Sequence, residues 1–257
     1  MLYIYRFLIN LILILSPLII ILRLIKKKED LNRFLEKFCF FSKERGKGKL
    51  IWFHGASVGE IKSIIPILEK LEKNKRLKKI IHQFFPIDAN FLVKAFISYW
   101  KPSVVFFIDS EIWPNMLTNL KKKKIPTILL NGRITKKTYI RWKRFLNFSK
   151  KIFSNFDLCL SSSQESKNYL HKLGAKNVKF LGNLKFSQSV EEKIELKKEI
   201  RKAILKKNVW CASSTHDTEE TFCGKVHKEL KSKNKNLLTI IIPRHVERVE
   251  KIKSDLQ

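Results

Sequence analysis

Along the chain, short apolar runs alternate with longer stretches in which apolar residues return every three or four positions. Leu50–Phe53 reads as a strand, and Ile61, Ile64, Ile65, Leu68 and Leu71 mark one face of a helix over Val58–Leu71. Val104–Ile108 is a second strand, followed by "DSEIWPN" and a short helix ending in Lys121–Lys124. Pro126–Leu130 is a third, followed by "NGRIT" and a basic, aromatic helix over Thr135–Phe153. Leu158–Leu160 precedes a helix at Gln164–Leu173 that Gly174 closes, and Val178–Leu181 runs into "GNLKF". Residues 187–207 are highly charged and predict a helix with little core face. The alternation then restarts: Val209–Ala212, "SSTHDTEE" and a helix, then Leu237–Ile242, "PRHVERVE" and a helix. Repeated strand–helix units predict a parallel α/β sheet. Ligands of such sheets sit beyond the carboxyl ends of the strands, where all these polar turns fall.

The first 28 residues show a different pattern. Phe7–Leu22 is apolar apart from Asn10 and Ser16, flanked by Arg6 and Arg23, with Lys26–Lys28 just beyond. No small-residue cleavage site comes after the run, which argues against a cleaved signal peptide. The run is slightly short for a span of about 20 residues, but flanking arginines can snorkel. The lysine cluster puts the succeeding domain on the cytoplasmic side. The alternative is a helix lying in the interface. Both readings tether the chain to a membrane.

The chain has 257 residues, room for one large or two smaller domains with a real core. Its formal net charge is +30, from 53 Lys+Arg against 23 Asp+Glu, which implies an anionic partner. Lysine far outnumbers arginine, as in AT-rich genomes, so the charge is discounted as a nucleic-acid signal; no RNP-like aromatic strand accompanies it. Cys39, Cys159, Cys211 and Cys223 are scattered, without C-x-x-C spacing, and are expected to be reduced, buried thiols. The histidines do not pair with them at zinc-ligand spacing.

The chemistry concentrates in the turns. In "IWFHGASVGE", Ser57 and Glu60 fit an S-x-x-E capping box. A cap does not require both Gly55 and Gly59, and Gly59 in a first turn costs about 1 kcal/mol relative to Ala. A carboxylate held ionised at a helix N-terminus, beside bare backbone, is what a general base requires. Asp109 and Glu111 in "DSEIWPN" lie at a strand end, where ordinary helix entry is the plainer explanation. Lys185 in "GNLKF" would, taken alone, be solvated surface. Ser214, Thr215 and Asp217 are capping candidates. Arg244 and His245 lie at a helix start suited to a phosphate. Neither a Walker A sequence nor a complete G-x-G-x-x-G occurs.

Taken in order, an anchor, H-x-x-S-x-G-E, E-I-W-P-N, N-G-R, G-N-L-K-F, S-T-H-x-x-E-E and P-R-H-x-E-R closely resemble the 3-deoxy-D-manno-octulosonic acid (Kdo) transferases of lipopolysaccharide synthesis. The resemblance runs from the anchor to the last residues. It implies an α/β fold of GT-B type, two Rossmann-like domains, with a lipid A precursor as acceptor and CMP-Kdo as donor, and no metal or other cofactor. It implies residues 1–28 as anchor and basic flank, 29–190 as the acceptor domain, and 191–257 as a linker helix and the start of the donor domain. Carried over by position, Glu60 is the general base, with His54, Gly55, Ser57 and Gly59 supporting its turn and the glycines leaving room for the sugar. Asp109 or Glu111 would support the transition state. Lys185 would stabilise the charge developing as CMP leaves, and Pro243, Arg244 and His245 would contact the nucleotide. The globular part would sit on the cytoplasmic face of the inner membrane, against anionic lipid, with no nucleic acid partner.

Two departures accompany the resemblance. Between Leu71 and "FFPID" a strand–turn–helix unit is expected to be missing, and most of the second domain is expected to be absent. The rival reading is a membrane-tethered basic binding protein without catalysis, or an inactive fragment of the family. It accounts for the charge and the anchor but not for the order of the turns.

Overall fold

The computed structural model of the chain describes residues 1–26, 28–73, 79–184 and 198–256. It divides into two compact units, Met1–Ser189 and Val190–Gln257.

The first unit is built on a five-stranded parallel sheet: β1 (Ile51–His54), β2 (Val104–Ile108), β3 (Thr127–Gly132), β4 (Leu158–Ser161) and β5 (Val178–Phe180), in spatial order β1-β2-β3-β4-β5. β1 pairs with β2 through Ile51↔Val104 to His54↔Phe107 and forms one edge of the sheet. Ordinary doubly wound sheets add strands beyond the first one. Here the described residues 79–89 pass from α2 (Val58–Lys73) to α3 (Asn90–Trp100) without a strand. They are held by the 3-10 turn Phe34–Phe38: the Phe84 amide donates to Glu36 Oε2 at 2.9 Å and the Ile87 amide to the Lys37 carbonyl at 3.0 Å.

Sequence periodicity assigned no element to α3, yet its Leu92, Val93, Phe96, Ile97 and Trp100 are all buried. They repeat at helical spacing and pack with Val105 and Phe107 of the sheet in the main core. The helix stops at Lys101, left-handed at φ 44°, just before Pro102. α4 (Pro114–Lys122) and α7 (Gln164–Leu173) match the expected pattern, with Pro114 at the first position of α4. α7 is capped by Ser163, which accepts from the Ser166 amide. It ends at Gly174 with φ +106°, where a Cβ would lie 2.5 Å from Lys150 Cα, so only glycine fits.

The single helix expected over 135–153 is instead two, α5 (Lys136–Lys143) and α6 (Leu146–Phe153). Packing explains the break. Trp142 meets Phe153 edge-on at 5.2 Å between ring centroids, whereas 11 residues of straight helix would separate them by about 16 Å.

The second unit carries α8 (Lys198–Ile204), then β6 (Asn208–Thr215) and β7 (Leu237–Pro243) paired in parallel, with α9 (Glu219–Lys233) between them and α10 (Val249–Leu256) after. The charged helix expected over 187–207 is described only as α8; residues 185–197 lie outside the described residues. The cysteines are free. Cys159 and Cys223 are buried, but Cys39 is half-buried and Cys211 exposed, since the face of β6 that bears Cys211 is uncovered by the described residues.

The N-terminal helix α1 (Leu2–Ile25) extends the predicted apolar run at both ends and packs within the first unit. Its first turn docks through polar side chains. The Tyr5 hydroxyl donates to Asp88 Oδ2 at 2.7 Å, and Arg6 donates to Asn115 Oδ1 at 2.9 Å and Asn90 Oδ1 at 3.2 Å.

Candidate active site on the strand-end rim

β1 enters α2 through His54-Gly55-Ala56-Ser57, and the capping box forms. The Glu60 amide donates to Ser57 Oγ at 3.2 Å. Glu60 Oε2 in turn accepts from the Ala56 amide at 2.6 Å and the Ser57 amide at 3.3 Å. Both bonds fall on Oε2; among the described residues Oε1 has no hydrogen-bond donor. The carboxylate therefore caps the helix with one oxygen and presents the other. The two amides fix the position of this carboxylate at the start of α2.

The two glycines differ in the space they leave. At Gly55 a Cβ would lie 3.1 Å from Glu60 Cβ and from Ile61 Cδ1, so the space left by this glycine is already filled by Glu60 itself rather than left for a sugar. At Gly59 the nearest atom is Ser57 Oγ at 4.0 Å, and the backbone there is bare.

The two acids of "DSEIWPN" point in different directions. Glu111 Oε2 faces His54 Nε2 at 3.1 Å and accepts from Trp113 Nε1 at 2.7 Å. Burial works to raise its pKa, but the hydrogen bonds from His54 and Trp113 outweigh it and hold Glu111 below the usual carboxylate range. His54 is buried, stacked on Phe85 at 4.1 Å and edge-on to Trp113 at 6.3 Å. Asp109 is also buried and left-handed at φ 56°, and it accepts from the Asn131 amide group at the end of β3. Asn131 Oδ1 accepts from the Leu184 amide at 3.1 Å, which ties the "GNLKF" turn to the same rim. Lys185, the next residue, lies outside the described residues.

The rim thus joins the carboxyl ends of β1, β2 and β3. It brings together His54, Gly55, Ser57, Gly59 and Glu60 with Glu111, while Asp109 joins Asn131 one strand further. Sequence reasoning missed Phe85, Trp113, Asn131 and Asp88. Asp88 Oδ2 and Oδ1 accept from the Asn115 and Met116 amides, each at 2.9 Å, capping α4. Burial pushes the Asp88 pKa up to about 6 against hydrogen bonds from Asn115, Tyr5 and Met116. The signals lie in "FFPID", "EIWPN" and "NGR", the turns that carry these residues. A groove of about 1120 Å³ opens beside the rim, lined by His54, Gly55, Ser57, Val58 and Trp113 and by Ile9 and Ile12 of α1.

In the second unit, Arg248 donates to both carboxylate oxygens of Glu220, each at 3.1 Å, and to Asp217 at 2.8 Å. Thr215 Oγ1 donates to Glu220 at 2.8 Å. This fork welds "SSTHDTEE" to "PRHVER". The Arg244 amide donates to the Thr215 carbonyl at 3.0 Å, while the Arg244 and His245 side chains are exposed after Pro243. His245 lies 3.5 Å from Glu247, itself exposed. Among the described residues no group of three His, Cys, Asp or Glu side chains could hold a metal ion.

Parallel strands with polar turns at their carboxyl ends, and a second strand–helix unit, make an α/β fold of GT-B type. The sequence model of the family described as 3-deoxy-D-manno-octulosonic-acid transferase (kdotransferase) matches residues 32–81 and 72–188, and the chain belongs to that family. Its two matches meet at 72–81, where the described chain lacks a strand between α2 and α3. The 3-deoxy-D-manno-octulosonic acid transferase of Rickettsia bellii is 31% identical over 98% of this chain and 65% of its own length. The probable mitochondrial enzyme of that name from Arabidopsis thaliana is 29% identical over 90% and 59%, and that of Haemophilus influenzae 25% over 93% and 63%. The chain thus spans just under two-thirds of the length of these curated relatives. Among solved structures, the S. aureus MnaA–UDP co-structure shares the fold, with a TM-score of 0.54 at 13% identity over 82% of this chain and 66% of that one.

Proposed function

We propose that the protein transfers Kdo from CMP-Kdo to a hydroxyl of a lipid A precursor on the cytoplasmic face of the inner membrane. The observation that carries this reading is the division of labour in Glu60. Oε2 is engaged by the Ala56 and Ser57 amides, and among the described residues Oε1 has no donor at the rim. Glu60 takes the proton from the acceptor hydroxyl as that oxygen attacks the anomeric carbon of Kdo. Positioned proton transfer of this kind contributes about 10²–10⁴-fold in rate.

His54 and Glu111 position the β1 turn that carries Glu60, with Trp113 and Phe85 excluding water around them. Of the two acids, Glu111 is the one tied to β1, so support of the transition state is assigned to it. Asp109 and Asn131 hold the "GNLKF" turn, and Lys185 meets the charge that develops as CMP departs. Arg244 and His245, exposed after β7, grip the nucleotide phosphate; an exposed Arg can make bidentate bonds to it. Family membership, the apolar α1 and the basic flank support the lipid acceptor and the membrane site.

The test is incubation of membranes carrying the protein, expressed from its complete reading frame, with CMP-Kdo and lipid A precursor. The expected result is a Kdo-bearing lipid by mass spectrometry, lost when Glu60 is replaced by Gln. No product from the unmutated protein would contradict the reading.

A further inference from the structure

α1 is long and apolar enough to cross a bilayer, with a mean hydropathy of 2.6. Its packing points elsewhere. Leu2, Tyr5, Arg6, Ile9, Leu13, Ser16, Ile20 and Leu24 are buried or half-buried, and they recur every three or four residues from one end of the helix to the other. One stripe of the whole helix therefore lies on the first unit. The remaining surface is apolar and open: Phe7 is 68% exposed, Ile14 75%, Leu18 61% and Ile25 73%. An exposed apolar face this long needs a cover.

The polar residues at both ends fix the direction. Tyr5 and Arg6 bond Asp88, Asn115 and Asn90 of the globular unit. At the far end Arg23 donates to Glu29 at 2.9 Å, and Glu29 also pairs with Lys37 of the 3-10 turn. A helix of 24 residues is about 36 Å long, enough to place its ends on opposite sides of a hydrocarbon core of about 30 Å. A spanning helix could not keep Arg6 and Arg23 both bonded to one water-soluble unit.

Neighbouring features complete the face. Tyr5 lies 6.5 Å from the Phe148 ring on α6. Phe145 and Leu146, a turn away, are exposed beside Arg141, Lys143 and Arg144 of the basic segment. Apolar side chains flanked by cations suit the anionic surface of a cytoplasmic leaflet.

We propose that α1 does not cross the membrane but lies in the plane of the cytoplasmic leaflet. Its inner stripe is docked on the globular unit and its outer face is in the acyl region. Ile9 and Ile12 then form the lipid-side wall of the groove beside Glu60. The inference rests on the membrane site proposed above but not on the chemistry.

The experiment uses the complete protein with a short, protease-cleavable epitope joined to Met1 through a flexible linker. Protease is added to intact spheroplasts and, separately, to inside-out inner-membrane vesicles. The expected result is loss of the tag only in inside-out vesicles, the side from which the globular unit is also cut. Loss of the tag from the outside of spheroplasts would show a spanning helix and overturn the proposal while leaving membrane anchoring intact. Recovery of the tagged protein in the soluble fraction would overturn both. A tag protected from both sides until detergent is added would also overturn it, since the in-plane arrangement leaves Met1 in water.

Discussion

The two rims of strand ends differ in how their side chains are held. In the first unit every acid named from the sequence is tied down: Glu60 by the amides of its own turn, Glu111 by His54 and Trp113, Asp109 by Asn131. In the second unit the scaffold is tied just as firmly, through the Arg248–Glu220 fork, but Arg244 and His245 stand in solvent. Proton transfer needs a fixed group, because misplacement of a reacting atom by about 1 Å costs up to 10²-fold. Phosphate recognition tolerates a mobile cation that closes on its ligand. On the proposed function, the first rim is built for geometry and the second for capture.

The largest break in this contrast comes from removing Glu60 altogether. Glu60→Ala takes away base and cap together, so transfer should fall by about 10²–10⁴-fold, with about 1 kcal/mol lost in denaturant unfolding. Unchanged transfer would place the base elsewhere.

Asp88 sharpens the contrast from beneath the first rim. Its pKa is raised by burial from 3.8 to about 6, so between these values the folded state holds a proton that the unfolded state has lost. The stability it contributes therefore falls as pH rises from about 4 to 6, by up to about 3 kcal/mol. Asp88→Asn should flatten that part of the stability curve measured by urea unfolding. A variant with the same pH slope as the parent would contradict the assignment.

Gly55→Ala should have an intermediate effect. The new Cβ would press on Glu60 Cβ and Ile61 Cδ1, each at 3.1 Å, and turn the carboxylate away. Transfer should fall about 10-fold or more, as a displaced catalytic group loses its alignment, while Gly59→Ala, with open space around it, should leave the Glu60 position intact. Equal losses at both glycines would show that backbone freedom rather than contact matters.

The smallest effect on the fold belongs to the second rim. Arg244→Ala should leave the melting temperature of the protein unchanged, since exposed substitutions stay within about 0.5 kcal/mol. It should weaken CMP-Kdo binding in calorimetry. A clear loss of stability with unaltered binding would remove Arg244 from the donor site.

Much of both rims was legible because parallel strands are short apolar runs and their turns carry the polar residues. The capping box in "SVGE" and the strand end before "DSE" could be placed from local spacing alone. What escaped depends on contacts distant in sequence. The α3 stretch carries apolar residues on every side, with Lys94 its sole charge, so its periodicity does not stand out until the sheet shows which face is buried. The 135–153 stretch looks like one helix until Trp142 folds over Phe153. Phe85 becomes part of the site only by stacking on His54, 31 positions earlier in the chain. Asn131 matters only because β3 lies beside β2, which sets its amide against Asp109.

The central claim is that Glu60 caps with Oε2 and catalyses with Oε1. Glu60→Gln separates the two functions, because Gln can still accept the Ala56 and Ser57 amides through its carbonyl oxygen but cannot take a proton. The measurement is Kdo transfer and thermal unfolding on the same preparation of the complete protein. The predicted result is a melting temperature close to that of the parent with transfer reduced by about 10²–10⁴-fold. Transfer at the parental rate from a folded Glu60→Gln protein would show that this carboxylate is a helix cap and nothing more.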